Sequence, residues 1–197
     1  MVKPFIVVMG ASNSGKNHFA NVALDLTYDL EFKWIAGLKR CIENLYDLPS
    51  GMLEEDYYRN QLVPNQSYTF LDLLIMLYKE QESSDPLALR MFKEAAFSEL
   101  QRYLANGWAI VSTDTRSPRE MLYIREIAKS YPVALVKIVG RGTILDSDKS
   151  LERNWQAQVP TASRWVLHND SDLDAYTLAC ARMVKEIEVY HATSEQR

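Results

Sequence analysis

Cysteine and long hydrophobic runs are both scarce in this chain. Its 197 residues include two cysteines, Cys41 and Cys180, whose separation fits neither a metal-binding nor a redox motif. We therefore expect two free thiols and a reducing compartment. No stretch approaches the roughly 20 apolar residues that span a bilayer, and the apolar run after Lys3 is too short for a secretion signal. These features predict a soluble, cytoplasmic protein with no membrane partner.

An excess of charge of one sign is also lacking. The formal net charge is -4 and the isoelectric point is about 5.5, so the chain has no general attraction to nucleic acid or to an anionic membrane. A polyanionic partner would have to be bound by a local basic patch. Apolar residues make up 47% of the sequence, which is enough for the core of one domain of this length.

Glycine is scarce as well, and two of the seven glycines stand close together in the segment Gly10–Asn17. An apolar run, Phe5–Met9, precedes this segment and a helical pattern follows it, which gives the Gly-x4-Gly-Lys frame of a phosphate-binding loop. Gly10 and Gly15 permit backbone conformations that let successive N–H groups turn toward phosphate oxygens. Lys16 adds a positive charge, as does the start of the following helix. The alternative is an ordinary glycine turn between a strand and a helix.

Apolar runs alternate with helical periodicities along the whole chain. The predicted strands are residues 5–9, 31–36, 108–112, 133–139 and 165–167, and Gly37 is expected to end the second of them. Strands that alternate with helices indicate right-handed crossovers and a parallel sheet covered on both faces. The predicted fold is therefore α/β, with a P-loop core of five parallel strands flanked by helices.

Local sequence signals mark the starts of several helices. Thr69 with Asp72, and Ser117 with Pro118 and Glu120, have the spacing of capping boxes. Either Asp170 or Ser171 is expected to cap the last helix.

We assign residues 1–197 to a single P-loop domain, in which 49–85 form a helical substrate-side lobe and 140–163 a lid segment.

Ligands of parallel α/β sheets bind beyond the carboxyl ends of the strands. This rule predicts that four polar segments converge on one cleft: Gly10–Asn17, Asp114–Arg116, Arg141 and His168–Asp170. Further cations are Lys149 and Arg153 of the lid segment and Arg164 directly after it, which either close over phosphates or are solvated surface.

Phosphoryl transfer requires charge stabilisation and alignment, and three residues are candidates to supply them. Lys16 is suited to the donor's phosphates, Asp114 to magnesium or to the acceptor's proton, and Arg116 to an acceptor phosphate. Asp114 and Arg116 also have a simpler explanation, a salt bridge within a turn. Asn17 stands where a hydroxyl residue usually ligates magnesium. Either water or Asp114 compensates, or the loop binds nucleotide without transferring phosphate.

Aromatic and histidine side chains allow two interpretations each. Trp34, Tyr57 and Tyr58 are able to stack on a base, although Trp34 in a predicted strand is also typical of a core residue. His18 and His168 have no neighbouring Ser or Cys that would indicate nucleophilic catalysis, so a structural or surface role is favoured for both.

Several of these segments together resemble the bacteriophage-type deoxynucleoside monophosphate kinases. The resemblance covers nearly the whole chain in order and spacing. It rests on Gly10–Lys16, Ile35–Lys39, Val111–Arg116 with Glu120, Val136–Gly142, Val159–Pro160 and Val166–Ser171. The Asp-Thr-Arg turn and the late Asn-Asp-Ser segment carry most of its specificity, because many enzymes share the phosphate loop.

The resemblance implies an adenylate-kinase-like core, ATP and Mg2+ as cofactors, and transfer of the γ-phosphate to a nucleotide. By this resemblance Gly10, Gly15 and Lys16 would hold the ATP phosphates, Lys39 and Arg116 would bind the acceptor's phosphate, Arg141 would lie against the donor adenine or its phosphates, and Asn169–Ser171 would border the adenine. With the neighbouring polar residues, the candidate ATP-binding set is Gly10, Ser12, Asn13, Ser14, Gly15, Lys16, Asn17, Arg141 and Asn169. The candidate acceptor-side residues are Trp34, Lys39, Tyr58, Arg59 and Arg116, and the candidate metal ligands are Asn17 and Asp114. A protein of this family would work in the cytoplasm of the infected host cell, as a monomer or a homodimer.

Two alternatives stay open. A sister group of phage P-loop kinases phosphorylates the 5-hydroxymethyl group of a modified uracil in DNA, for thymidine hypermodification. The acidic balance of this chain speaks against a DNA substrate, although Lys39, Arg40 and Arg59 are able to line a local groove. The second alternative is a non-catalytic nucleotide-binding relative, in which Asn17 marks the loss of magnesium handling.

Overall fold

A computed structural model describes residues 2–84, 87–115, 117–142 and 159–194. Five strands form one sheet: β1 (Phe5–Gly10), β2 (Leu30–Phe32), β3 (Ile110–Ser112), β4 (Val133–Gly140) and β5 (Ser163–Asn169). All neighbouring strands are parallel, and their order across the sheet is β2-β3-β1-β4-β5. The predicted α/β fold, with a sheet of five parallel strands flanked by helices, is thereby confirmed.

Helices connect these strands. They are α1 (Lys16–Leu26), α2 (Ala36–Leu45), α3 (Asp56–Arg59), α4 (Phe70–Ser84), α5 (Leu87–Ala105), α6 (Pro118–Ile127) and α7 (Leu173–Ser194), with a short 3-10 turn at Met52–Glu54. The chain forms two compact units, one comprising Met1–Lys33 with Glu99–Arg197 and the other Trp34–Ser98. The first unit contains the whole sheet, and the second contains the range 49–85 that the sequence assigns to the substrate-side lobe.

The core of the first unit lies against both faces of β1. Ile6 and Val8 pack with Phe19 of α1 and with Tyr176 and Val184 of α7 in one hydrophobic cluster. The alternate residues Phe5, Val7 and Met9 point to the opposite face and are also buried. A strand that is buried on both faces reads as a continuous apolar run, which is why residues 5–9 were recognisable in the sequence.

Two of the predicted helix starts are confirmed in detail. The Ser117 side chain accepts a hydrogen bond from the Glu120 amide at 3.3 Å, and the Glu120 carboxylate accepts one from the Ser117 amide at 2.9 Å. Asp72 accepts from the Thr69 amide at 2.9 Å. Each of these bonds satisfies an N–H group that the first helical turn leaves without a partner.

Two local predictions were wrong. The second strand is shorter than residues 31–36, and Gly37 does not end it but lies inside α2, because the burial of Leu38 and Ile42 at helical spacing outweighs the low helix propensity of one glycine. The last helix is capped by Asp172, which accepts from the Ala175 amide at 2.8 Å, rather than by Asp170 or Ser171.

The second unit has a small core of its own. Leu38, Ile42, Leu53, Phe70 and Leu74 are buried there among partly buried aromatic and aliphatic side chains. Within the described residues, no helix combines the length and the apolar character needed to cross a membrane. Both cysteines are free thiols, one exposed and one buried.

Candidate functional site

The segment between β1 and α1 turns sharply where the two glycines stand. Gly10 and Gly15 have positive φ angles of 147° and 101°, in the region that favours glycine. A Cβ atom on Gly10 would lie 2.6 Å from the Ile138 carbonyl oxygen, and one on Gly15 would lie 2.8 Å from Asn169 Nδ2. The glycines are therefore required both for the path of the loop and for its close packing.

Lys16 begins α1 and folds back over the loop. Its Nζ donates to the carbonyl oxygens of Gly10 at 2.8 Å and Ala11 at 2.6 Å. The first turn of α1, Lys16 to Phe19, contains no carboxylate, so nothing in it offsets the positive end of the helix dipole. The ammonium group and the helix N-terminus thus contribute positive charge to the same short segment.

Ser14 adds a buried polar atom to the loop. The residue is fully buried, and within the described residues its Oγ has no hydrogen-bond partner. A buried hydroxyl without a partner costs about 1–3 kcal/mol. An atom of this kind, next to the lysine and the glycines, fits a loop that closes around a polar ligand.

Asp114 lies just beyond the end of β3, which pairs with β1, the strand that leads into the loop. Val7 of β1 is in register with Ser112, the last residue of β3, and Asp114 follows two residues later. The Ser112 hydroxyl donates to Asp114 Oδ1 at 3.4 Å, and the Thr113 hydroxyl donates to Glu31 Oε1 at 2.5 Å. Arg116 lies outside the described residues.

The carboxyl ends of β4 and β5 complete this edge of the sheet. The Arg141 guanidinium donates to the Ser171 carbonyl oxygen at 2.7 Å. Gly142 has a φ of 101°, and a Cβ atom on it would meet the Ser12 carbonyl oxygen and, at 2.9 Å, the Ser14 amide nitrogen. Gly142, two residues after β4, therefore lies directly against the loop.

Asn169 ends β5 and is buried, with 6% of its surface exposed. Its Nδ2 donates to the Ser14 carbonyl oxygen at 2.8 Å. His168 is largely exposed and lies 3.7 Å from Asp170 through Nδ1 and Oδ2. Asn169 thus contacts the loop itself.

The candidate metal ligands are oxygen donors. Asn17 is exposed on the first turn of α1, and Asp114 is partly buried. Amide and carboxylate oxygens are ligands of the kind that magnesium takes. Among the described residues there is no group of three or more His, Cys, Asp or Glu side chains that could hold a metal ion.

The candidate acceptor-side residues of the second unit are held by local contacts. Lys39 is buried, and its Nζ donates to Glu54 Oε2 at 2.9 Å. The Arg59 guanidinium pairs with Asp56. The neighbouring Glu43, which the sequence analysis did not single out, is 2% exposed and accepts hydrogen bonds from the amides of Leu53 at 2.8 Å and Gly51 at 3.1 Å. This carboxylate anchors the turn that carries Glu54.

The aromatic candidates differ in accessibility. Trp34 is 4% exposed, which favours packing over stacking on a base. Tyr58 is half-buried, and its ring meets Tyr57 edge-on with centroids 5.0 Å apart. The greater part of the predicted lid, residues 143–158 with Lys149 and Arg153, lies outside the described residues.

Tyr176 of α7 also contacts the loop, and the sequence analysis did not single it out. Its hydroxyl donates to the Gly15 carbonyl oxygen at 3.3 Å. No local signal marks such a residue, because the contact joins positions 161 residues apart.

Comparisons with known proteins do not assign this chain to a family. No protein-family model matches the sequence, and a search of curated proteins gives no match. Among solved structures, the chain is similar to a gluconokinase from Sinorhizobium meliloti 1021, with 14% identity, a TM-score of 0.46 and 98% of each chain covered.

Proposed function

We propose that this protein is an ATP-dependent phosphotransferase that moves the γ-phosphate of ATP to a deoxynucleoside monophosphate. The observation that carries the proposal is the loop between β1 and α1, which combines Gly10, Gly15 and Lys16. Backbone N–H groups at a helix N-terminus form an anion site. A lysine at this position of a Gly-x4-Gly-Lys loop reaches the terminal phosphates of a nucleotide.

Lys16 and Asp114 have distinct roles in the proposed reaction. Lys16 Nζ would exchange the carbonyl oxygens of Gly10 and Ala11 for phosphate oxygens, and so offset the charge that develops on the transferred group. Asp114 follows the strand next to β1, where a carboxylate is able to accept the proton of the acceptor group.

The donor set also fits magnesium. We assign the ion to the Asn17 carboxamide and the Asp114 carboxylate, since both offer the oxygen atoms that it prefers. When bound, the ion would neutralise part of the negative charge of the phosphates.

The assignment of the acceptor rests on the resemblance and on charge. Lys39, Tyr58, Arg59 and Arg116 are the proposed acceptor-side residues. In the second unit Lys39 forms an ion pair with Glu54. An acceptor phosphate would take the place of this carboxylate as the partner of Lys39. The net charge of -4 favours a small nucleotide over duplex DNA, because duplex binding depends on many contacts between cations and phosphates.

Transfer of label from γ-labelled ATP tests the proposal. The acceptors are the deoxynucleoside monophosphates, supplied one at a time, and DNA that contains hydroxymethyluracil. We expect label in a free nucleotide. Lys16→Ala should lower this transfer by about 100-fold or more, on the scale of losing one group that stabilises transition-state charge. Lys129→Ala is the matched control, because it removes an exposed lysine whose ion pair is with Glu126, three positions away on the surface.

The same assay separates the alternatives. Label in the polymer would replace the proposed acceptor with the modified base in DNA. ATP binding without label in either acceptor would support the non-catalytic alternative. Full transfer by Lys16→Ala would remove the central role of the loop, and with it the proposed function.

A further inference from the structure

Two side chains from the C-terminal part of the chain donate hydrogen bonds to backbone carbonyl oxygens of the loop between β1 and α1. We propose that Asn169 and Tyr176 are positioning residues that fix the orientation of the peptide groups at Ser14, Gly15 and Lys16, and thereby set the affinity of the loop for the phosphates of its nucleotide. The inference rests on the proposed function, because it assigns these residues to the same site. It also makes a claim about the loop itself, which is testable without nucleotide.

The first contact is made by Asn169. Its Nδ2 donates to the Ser14 carbonyl oxygen at 2.8 Å, and both residues are buried. Asn169 also lies in register with Gly140 of β4, so the sheet fixes the position of its backbone. A short bond between a rigid strand end and the loop restricts the rotation of the Ser14 peptide group.

The second contact is made by Tyr176 of α7. Its hydroxyl donates to the Gly15 carbonyl oxygen at 3.3 Å, and the residue is 2% exposed. Burial, together with the nearby thiol of Cys180, holds the pKa of this phenol well above its ordinary value. The hydroxyl therefore keeps its proton and remains a donor.

The ring of Tyr176 is itself held in place. A Cβ atom on Gly15 would lie 2.8 Å from its Cε1, so the ring fills the space that the glycine leaves open. On another side it packs against His18 of α1, with ring centroids 5.7 Å apart. His18 Nε2 in turn lies 2.8 Å from the hydroxyl of Thr177. The ring is thus fixed by contacts with α1 as well as with the loop.

These contacts act on phosphate because peptide groups are rigid. In a trans peptide the C=O and N–H bonds lie in one plane and point in opposite directions. The Ser14 carbonyl shares a peptide group with the Gly15 N–H, and the Gly15 carbonyl shares one with the Lys16 N–H. When both carbonyls are drawn toward Asn169 and Tyr176, both N–H groups point to the opposite side. These are the donors that a loop of this kind offers to phosphate oxygens.

The test compares Tyr176→Phe and Asn169→Leu with the wild type. Tyr176→Phe keeps the ring and removes only the hydroxyl, and Asn169→Leu keeps most of the volume and removes the donor. The matched control is Tyr28→Phe, which removes a buried tyrosine hydroxyl of the same hydrophobic cluster whose acceptor, the Pro4 carbonyl oxygen at 3.1 Å, lies outside the loop. All three proteins are first compared by thermal unfolding, so that a general loss of stability is visible.

Two measurements follow on each protein. The first is the dissociation constant for ATP and, separately, for adenosine, which has no phosphate. We expect ATP binding to weaken about threefold in Tyr176→Phe, where Phe19 still donates to the Gly15 carbonyl, and about tenfold in Asn169→Leu. Adenosine binding should not change. The second is hydrogen exchange of the amides in residues 12–17 without nucleotide, which should become faster in both variants and not in the control.

Each outcome decides a different claim. If exchange in the loop and ATP binding match those of Tyr28→Phe, the inference is overturned. Equal weakening of ATP and adenosine binding would also overturn it, because a positioning role acts on phosphate alone. If the wild type retains no ATP while the variants show faster exchange in the loop, the positioning role stands and the proposed function fails.

Discussion

Placing a methyl group at Gly142 should displace the phosphate loop without reaching the core of the sheet. Gly142 follows β4 with a φ of 101°, and the added Cβ atom would meet the Ser12 carbonyl oxygen and the Ser14 amide nitrogen. Both are backbone atoms, so they cannot be relieved by a change of rotamer. The loop must move, or Gly142 must withdraw from it.

The matched control is Gly51→Ala. Gly51 has a similar φ of 84°, but an added Cβ atom there has nothing within 4 Å. Both substitutions incur the cost of a left-handed conformation for alanine, roughly 1–2 kcal/mol. For a chain of this length that corresponds to a fall of about 2–8 °C in the melting temperature. Any further effect of Gly142→Ala is then due to the contact with the loop.

The assay combines thermal unfolding with titration of ATP. We expect Gly51→Ala to lose stability and to bind ATP as the wild type does. Gly142→Ala should lose at least as much stability and bind ATP about 10- to 100-fold more weakly, since a displacement of about 1 Å at a binding site has effects of this size. Equal ATP affinities in the two variants would refute the claim that the residue after β4 supports the loop.

Two further predictions concern the fold. Ser117→Ala removes one half of the capping box and should lower the free energy of unfolding by about 1 kcal/mol. The control Ser98→Ala, at an exposed position within α5, should change it little. Denaturant titration measures both, and equal free energies of unfolding would contradict a stabilising role of the Ser117 cap. Burial raises the pKa of the Cys180 thiol from 9.0 to about 11. The unfolded chain therefore releases this proton at a lower pH than the folded chain does. The thiol's contribution to stability is present below about pH 9 and should be lost as the pH rises from about 9 to 11. Calorimetry of the wild type and Cys180→Val tests this, and an unchanged slope of stability against pH would contradict it.

The sequence alone determined those features that are set by neighbouring residues. The start of α6 was predictable because the donors and acceptors of its capping box lie within four positions of one another. β1 was predictable because burial on both faces leaves an unbroken apolar run. The phosphate loop was predictable because its glycines, its lysine and the following helix are consecutive. In contrast, the predictions for the extent of β2 and for the cap of α7 were wrong. For β2, the burial of Leu38 and Ile42 in α2 outweighed weak local preferences.

What only the tertiary structure decided is how that loop is held. Asn169 and Tyr176 reach Ser14 and Gly15 across about 155 and 161 positions of chain, and Gly142 reaches the same loop from the end of β4. No periodicity or spacing encodes these contacts, because they arise when parallel strands align their carboxyl ends at one edge of the sheet. The residues that would bind phosphate are therefore local in sequence, whereas the residues that hold them in position are brought together by the strand order.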